Sequence, residues 1–169
     1  NKGGKNITLE PGNQIELSGD KLNHMHEACA ESQDYLFELK QVTKKLDIKI
    51  VSAGFDPISK LNEIPGNPKQ RYELMTKDMP LGGELSLDMM YRTCGTQLNI
   101  DYSSEDDFIK KFRVANSIVP IAIALFANSS IVEKKNSNYL SYRSKVWQST
   151  SRGGLPKLFF ENMNFEKYA

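Results

Sequence analysis

Cysteine and tryptophan are scarce in this chain: two cysteines and one tryptophan in 169 residues. That excludes a secreted disulfide scaffold, which carries many more cysteines. Cys29 and Cys94 read as reduced, partly buried thiols, with a regulatory disulfide as the alternative. Histidine is equally sparse. His24 and His26 stand two apart on a predicted helix, so they do not face each other as a metal pair would. Charge of one sign is missing too. Lys plus Arg number 22 against 21 Asp plus Glu, a net charge of +1, and nothing in that balance calls for nucleic acid. The longest apolar run, 118–127, contains Pro120 and is too short to cross a bilayer. The glycine pairs at 3–4, 82–83 and 153–154 match no phosphate-binding loop, and no G-x-S-x-G nucleophile elbow occurs. The opening NKGGKN is polar and has no apolar signal-peptide core. Together with the reduced thiols it points to a cytoplasmic protein. It also lacks Met, so the start of the gene product is expected to lie elsewhere.

What is there is an ordinary soluble composition, 39% hydrophobic and 25% charged, enough for one domain with a core. The spacing predicts an opening strand over 8–19, then a helix over 21–46 with Asp20 as its cap. A strand follows over 47–55. Residues 56–69, rich in proline, read as a long ordered loop, and 70–79 as a short helix ended by Pro80. A strand is predicted over 89–102. A helix capped by Ser103 or Ser104 comes next, kinked or divided at Pro120. A polar turn at 133–138, an amphipathic segment at 139–147, a loop at 151–156 and a strand or helix start at the end complete the pattern. Strands and helices mix without a βαβ rhythm. The expected class is therefore α+β, with a mostly antiparallel sheet flanked by helices.

Residues 8–19 read TLEPGNQIELSG. Strand parity puts Glu10, Gln14 and Glu16 on one face and Leu9, Ile15 and Leu17 on the other. The second predicted strand repeats this, with Thr93, Gly95, Gln97, Asn99 and Asp101 opposite Leu98 and Ile100. If the two pair, acids and amides form one polar wall. Such oxygen donors suit a hard cation such as magnesium. A solvated edge is the competing reading. Glu10 and Glu16 would lie roughly 20 Å apart on an extended strand, so Pro11-Gly12 is expected to break or bulge it. Arg71, Arg92, Arg143 and Arg152 sit among aromatic or hydroxyl residues and suit carboxylates or phosphates. Surface salt bridges are the alternative for each. Arg143 stands out because Tyr142 and Trp147 could wall a small-molecule pocket.

Several runs in one order then carry a resemblance: TLEPGNQIELSG, GFDP at 54–57, RYELM at 71–75, LDMMYRTCGTQLNIDYSSEDDFIKKFR at 87–113, PIAIALFANS at 120–129, LSYRSKVW at 140–147 and LPKLFFENMNFEKY at 155–168. The chain resembles the plant and alphaproteobacterial type of glutamate–cysteine ligase, essentially end to end. The resemblance implies a glutamine synthetase-like fold, an antiparallel sheet curved into a funnel with helices behind. It implies ATP as co-substrate, magnesium, and activation of the glutamate side-chain carboxylate as an acyl phosphate that the cysteine amine attacks. The substrates are then glutamate, cysteine and ATP. It assigns Glu10, Glu16 and Gln97 to metal. Arg143 goes to the cysteine carboxylate. Gln14, Asn99, Arg71 and Trp147 become substrate-binding candidates, and Arg92 a catalytic one. The chain has Gly12-Asn13 where the family usually has two glycines. Members are also more than twice as long and carry a further acidic strand, so residues 1–169 read as a middle piece of the catalytic domain, inactive alone. A ligase joining glutamate to another amine, or a non-catalytic remnant of the fold, is the alternative.

Overall fold

The computed structural model describes residues 4–150; the expected elements at 151–156 and 159–169 lie outside the described residues. The opening segment is a hairpin rather than one broken strand. Strands β1 (Asn6–Leu9) and β2 (Ile15–Ser18) pair antiparallel. Pro11 and Gly12 sit in the turn between them, where proline fixes φ and glycine tolerates close backbone approach. A Cβ on Gly12 would collide with the carbonyl oxygen of Tyr91. Asn13 follows at φ 61°. Asparagine visits this left-handed region more readily than most residues, and its Nδ2 donates to Pro65 O at 2.6 Å. The departure from a second glycine is thereby accommodated. Parity survives in the hairpin: Thr8 lies opposite Glu16, and Leu9 opposite Ile15. Its apolar face is not buried as the alternation implies, since Ile7, Leu9 and Ile15 remain exposed.

Helix α1 (Met25–Lys45) begins later than the apolar spacing suggests, with His24 rather than Asp20 as its cap. Asp20 serves the loop instead: its Oδ1 accepts from the Lys21 N–H, and its own N–H donates to buried Glu31. The expected strand over 47–55 reduces to a single bridge between Phe55 and Thr93. The loop over 56–69 is ordered, as expected. It contains a 3-10 turn at Leu61–Glu63, and its Asn67 N–H donates to Pro11 O. Helix α2 (Gln70–Asp78) forms as predicted and runs into a 3-10 turn at Met79–Gly82.

The largest correction concerns 89–102. Residues Ser86–Arg92 form helix α3, and 94–102 carry no strand. Leu, Met and Arg are good helix formers, and an Asp88–Arg92 ion pair at i,i+4 spacing supports the helix. The polar wall expected from two paired strands therefore does not exist. Helix α4 (Glu105–Leu125), capped by Ser104, passes Pro120 without ending; it contributes no buried residue. Strands β3 (Ile131–Val132) and β4 (Lys135–Asn136) form a hairpin whose two turn residues, Glu133 and Lys134, both have positive φ. Helix α5 (Tyr142–Gln148) follows. The class is α+β with small antiparallel sheets and flanking helices.

One apolar cluster gathers Tyr72, Met79 and Met90 with Met75, Leu87, Met89 and Tyr91, joining α2 to α3. Around Phe55 lies a second centre. It is 1% exposed, edge-on to Tyr142 at 5.0 Å, and the Arg92 guanidinium lies over its ring at 4.5 Å. Phe55→Ala is expected to cost about 3–5 kcal/mol of stability, since it opens a cavity and removes the ring under a buried cation. Urea unfolding of wild type and variant measures the difference.

Candidate functional site

The hairpin turn brings the two predicted metal ligands together. Glu16 is opposite Thr8, and Glu10 is two residues on from Thr8, so the two acids share a face as diagonal neighbours, about 7–8 Å apart in an ideal antiparallel pair. The Thr8 hydroxyl donates to Glu10 Oε1 at 3.4 Å. The Tyr72 hydroxyl reaches Glu10 Oε2 at 3.4 Å and Leu9 O at 3.3 Å. Ser18 donates to Glu16 Oε1. Two cations lie near the ring of this tyrosine. Lys69 Nζ lies 5.0 Å from the ring centre and donates to Leu9 O, and the exposed Arg71 lies 5.2 Å from it. Lys69 was not singled out in the sequence; its place in a proline-rich loop gave no sign that it faces the acidic turn. Among the described residues no three His, Cys, Asp or Glu side chains converge as a metal cage. The donor set here is two carboxylates.

Arg143 occupies a different environment. It is half-buried, its guanidinium lies 5.6 Å from the centre of the Trp147 ring, and its backbone N–H donates to the Ser129 hydroxyl at 3.0 Å. Nε is buried without a hydrogen-bond partner. Gly95 faces the guanidinium so closely that a Cβ there would sit 2.8 Å from Nη2. Burial disfavours the charged form and lowers the Arg143 pKa from its ordinary value, with the Cys94 thiolate opposing. Cys94 responds in the other sense. Protein packed around its sulfur pushes the thiol up, and Arg143 pulls it down. Cys29 and Cys94 are free thiols on exposed residues, although protein packs around the Cys94 sulfur. Beside Ser129 is a cleft of about 320 Å³ lined by Phe55, Pro57, Asn128, Ser129 and Leu140 among others.

Gln97 and Asn99 lie on the exposed irregular segment, where the Gln97 amide donates to Asn99 Oδ1 at 2.9 Å. They keep a common side without a partner strand. Gln14 points into the protein, and its amide is fully engaged by backbone groups. Arg92, expected at the chemistry, is 4% exposed. Its Nη1 meets Asp88 at 2.8 Å and Glu133 at 3.5 Å, and Nε and Nη2 are buried without partners. That burial leaves the guanidinium holding protein, not reaching for a ligand. Asp88 and Glu133 were not foreseen; the i,i+4 pair was legible only if 86–92 was read as helix.

Oxygen ligands on one turn and a desolvated guanidinium on another element are the equipment of a site for phosphates, carboxylates and a hard cation. The family model described as Glutamate-cysteine ligase family 2 (GCS2) matches residues 1–169. The chain is 46% identical over 170 aligned residues to the chloroplastic glutamate–cysteine ligase of Nicotiana tabacum, covering 99% of this chain and 33% of that protein. Ligase A of Oryza sativa subsp. japonica gives 46% identity, with 99% and 35% covered, and the Arabidopsis thaliana ligase 45%, with 99% and 33%. The chain belongs to glutamate–cysteine ligase family 2. It spans about a third of the length of these curated relatives. Their chloroplastic naming overturns the cytoplasmic location expected from the opening residues and the thiols. No helix among the described residues is long and apolar enough to cross a membrane.

Two outcomes follow. Asp88→Ala should destabilise more than Glu133→Ala, because Asp88 is the nearer and more buried partner of a cation whose lost pairing costs about 3–5 kcal/mol when complete. Denaturant midpoints of the two variants give the comparison. Asp56 is the second case. Burial, the largest influence, raises its pKa, but the Ser59 and Ile58 N–H bonds with Arg92 outweigh it, leaving the value lowered. A carboxyl depressed on folding stabilises above its unfolded pKa of about 3.9, and that contribution is lost as pH falls through the folded value. Asp56→Asn should flatten the acid side of a melting-temperature profile below about pH 4.

Proposed function

We propose that this chain is a middle part of the catalytic domain of an ATP- and magnesium-dependent glutamate–cysteine ligase, joining the glutamate side-chain carboxylate to the cysteine amine to give γ-glutamylcysteine. Family membership supports the reaction class. The observation that carries the site is the half-buried Arg143 guanidinium beside the Trp147 ring, with an unpartnered Nε, on a backbone held by Ser129. Such a guanidinium binds a carboxylate through parallel N–H bonds, and its desolvation strengthens that attraction. Arg143 takes the cysteine carboxylate, and Trp147 walls it.

Glu10 and Glu16 fit magnesium: this ion is commonly bound by one or two carboxylates, with water and substrate phosphates completing its shell. When bound it neutralises charge on the phosphates during phosphoryl transfer. Lys69 and Arg71, flanking Tyr72 beside the acidic turn, supply positive charge for the phosphates. Gln97 and Asn99 are exposed amides that a metal, phosphate or substrate could engage. Arg92 supports the site by holding α3, Phe55 and the β3–β4 turn together.

Grafting this chain in place of the corresponding third of the tobacco enzyme tests the reading. The chimera should release ADP and form γ-glutamylcysteine, while the 169-residue chain alone should not. In the chimera, Arg143→Met should raise the KM for cysteine at least about tenfold, and Glu10→Gln or Glu16→Gln should lower kcat about 100-fold. A folded chimera that binds nucleotide but makes no product, or that uses another amine better than cysteine, would refute the assignment.

A further inference from the structure

The sequence marked Gln14 as a ligand candidate. Its surroundings give it another role. A primary amide has two donors and a strong acceptor, and here all are spent on backbone. Oε1 accepts from the Gly12 N–H at 2.8 Å. Nε2 donates to Met90 O at 3.3 Å and to Thr93 O at 3.2 Å.

The two carbonyls lie at the end of α3. The last four carbonyls of a helix have no intrahelical donor, and in a seven-residue helix that is most of them. Thr93 Oγ1 donates to Met89 O at 2.6 Å; Gln14, distant in sequence, takes Met90 O. Asparagine would fall one methylene short. Glutamate would set a carboxylate against two carbonyl oxygens.

One end of this contact is the acidic turn. Gly12 is pressed on the Tyr91 carbonyl with no space for a Cβ, Pro11 is buried, and the turn closes through Glu10 N–H to Gln14 O and Asn13 N–H to Glu10 O. The other end leads toward the arginine. Thr93 bridges Phe55, the Cys94 N–H donates to Gly54 O, and Gly95 meets Arg143. One side-chain amide thus joins the peptide bearing Glu10 to the peptide against which Arg143 rests.

We propose that Gln14 is a positioning residue, fixing the Glu10 turn on the C-terminal end of α3 and so setting the hairpin carboxylates relative to Arg143. The role in the site rests on the reading of Glu10 and Arg143 above; the clamp itself does not.

Hydrogen exchange on the chimera described above tests it, comparing the chimera carrying Gln14 with Gln14→Met, which keeps length and loses every hydrogen bond, and Gln14→Asn, which keeps the amide and falls short of the helix-end carbonyls. Both should speed exchange of the Gly12 and Asn13 amides at least about tenfold while leaving the α1 amides unchanged. Titration with manganese, followed by water-proton relaxation, should find binding weakened at least about fivefold in Gln14→Met, approaching Glu10→Gln. Unchanged exchange at Gly12 and Asn13, or equal loosening of α1 and the turn, would overturn the proposal. If Gln14→Met does not fold, Gln14→Asn decides. If the chimera takes up no manganese, the metal reading of Glu10 fails, and the exchange pattern still decides the clamp.

Discussion

The Arg92 guanidinium is the contact on which the candidate site depends. A buried cation is tolerable only when carboxylates compensate it, and this one draws its compensation from two elements, Asp88 on α3 and Glu133 in the β3–β4 turn. Its flat face rests on Phe55, and its backbone carbonyl takes the Asp56 N–H. Lys134 N–H in turn reaches Pro57 O. Three segments distant in sequence, 55–57, 88–92 and 133–134, are therefore locked around one side chain. Two consecutive residues with side chains at positive φ, Glu133 and Lys134, are held in a turn that favours asparagine and glycine; the bonds to Arg92 and Pro57 offset that preference.

From this centre the structure divides into two arms. One runs back through α3 and Gln14 to the acidic hairpin turn. The other runs forward through Cys94 and Gly95 to Arg143, whose own backbone is fixed by Ser129. The two arms differ in how far their charged groups are exposed. Of the hairpin acids, Glu16 is exposed and Glu10 is half-buried against Thr8 and Tyr72. The Arg143 guanidinium is partly desolvated and stacked, which favours a planar anion over water.

How far the residues could be read in advance varied with the kind of signal. Caps and breakers were legible in part: Ser104 caps α4, α2 stops before Pro80 and Pro11-Gly12 interrupts the opening strand, but His24 replaces Asp20 as the cap of α1 and α4 runs through Pro120. These depend on local backbone chemistry. Parity was reliable only where a partner strand existed. It correctly placed Glu10 and Glu16 on one face, and the hairpin then brought them closer than an extended strand would allow. Over 89–102 the same rule failed, because alternation in the sequence does not supply a partner, and MMYR had the local preference and the i,i+4 ion pair of a helix. The apolar face of the hairpin was legible, but its burial was not.

The sequence by itself determined the family, the candidate polar residues, and the break at Pro11-Gly12 in TLEPGNQIELSG, though not that the break is a hairpin turn. These follow from motif order and from the φ constraints of proline, glycine and asparagine. Tertiary structure alone decided which polar groups are free for a ligand. Arg92 and Arg143 look equivalent in the chain, each beside a tyrosine. Packing buries one against Asp88 and Glu133 in the interior and leaves the other half-buried beside Trp147 with no carboxylate partner among the described residues. Gln14 and Gln97 look equally like ligands, yet one amide is spent on the orphan carbonyls of a helix end and the other stays at the surface. Hydrogen-bond satisfaction depends on groups dozens of residues away, and no local pattern records it.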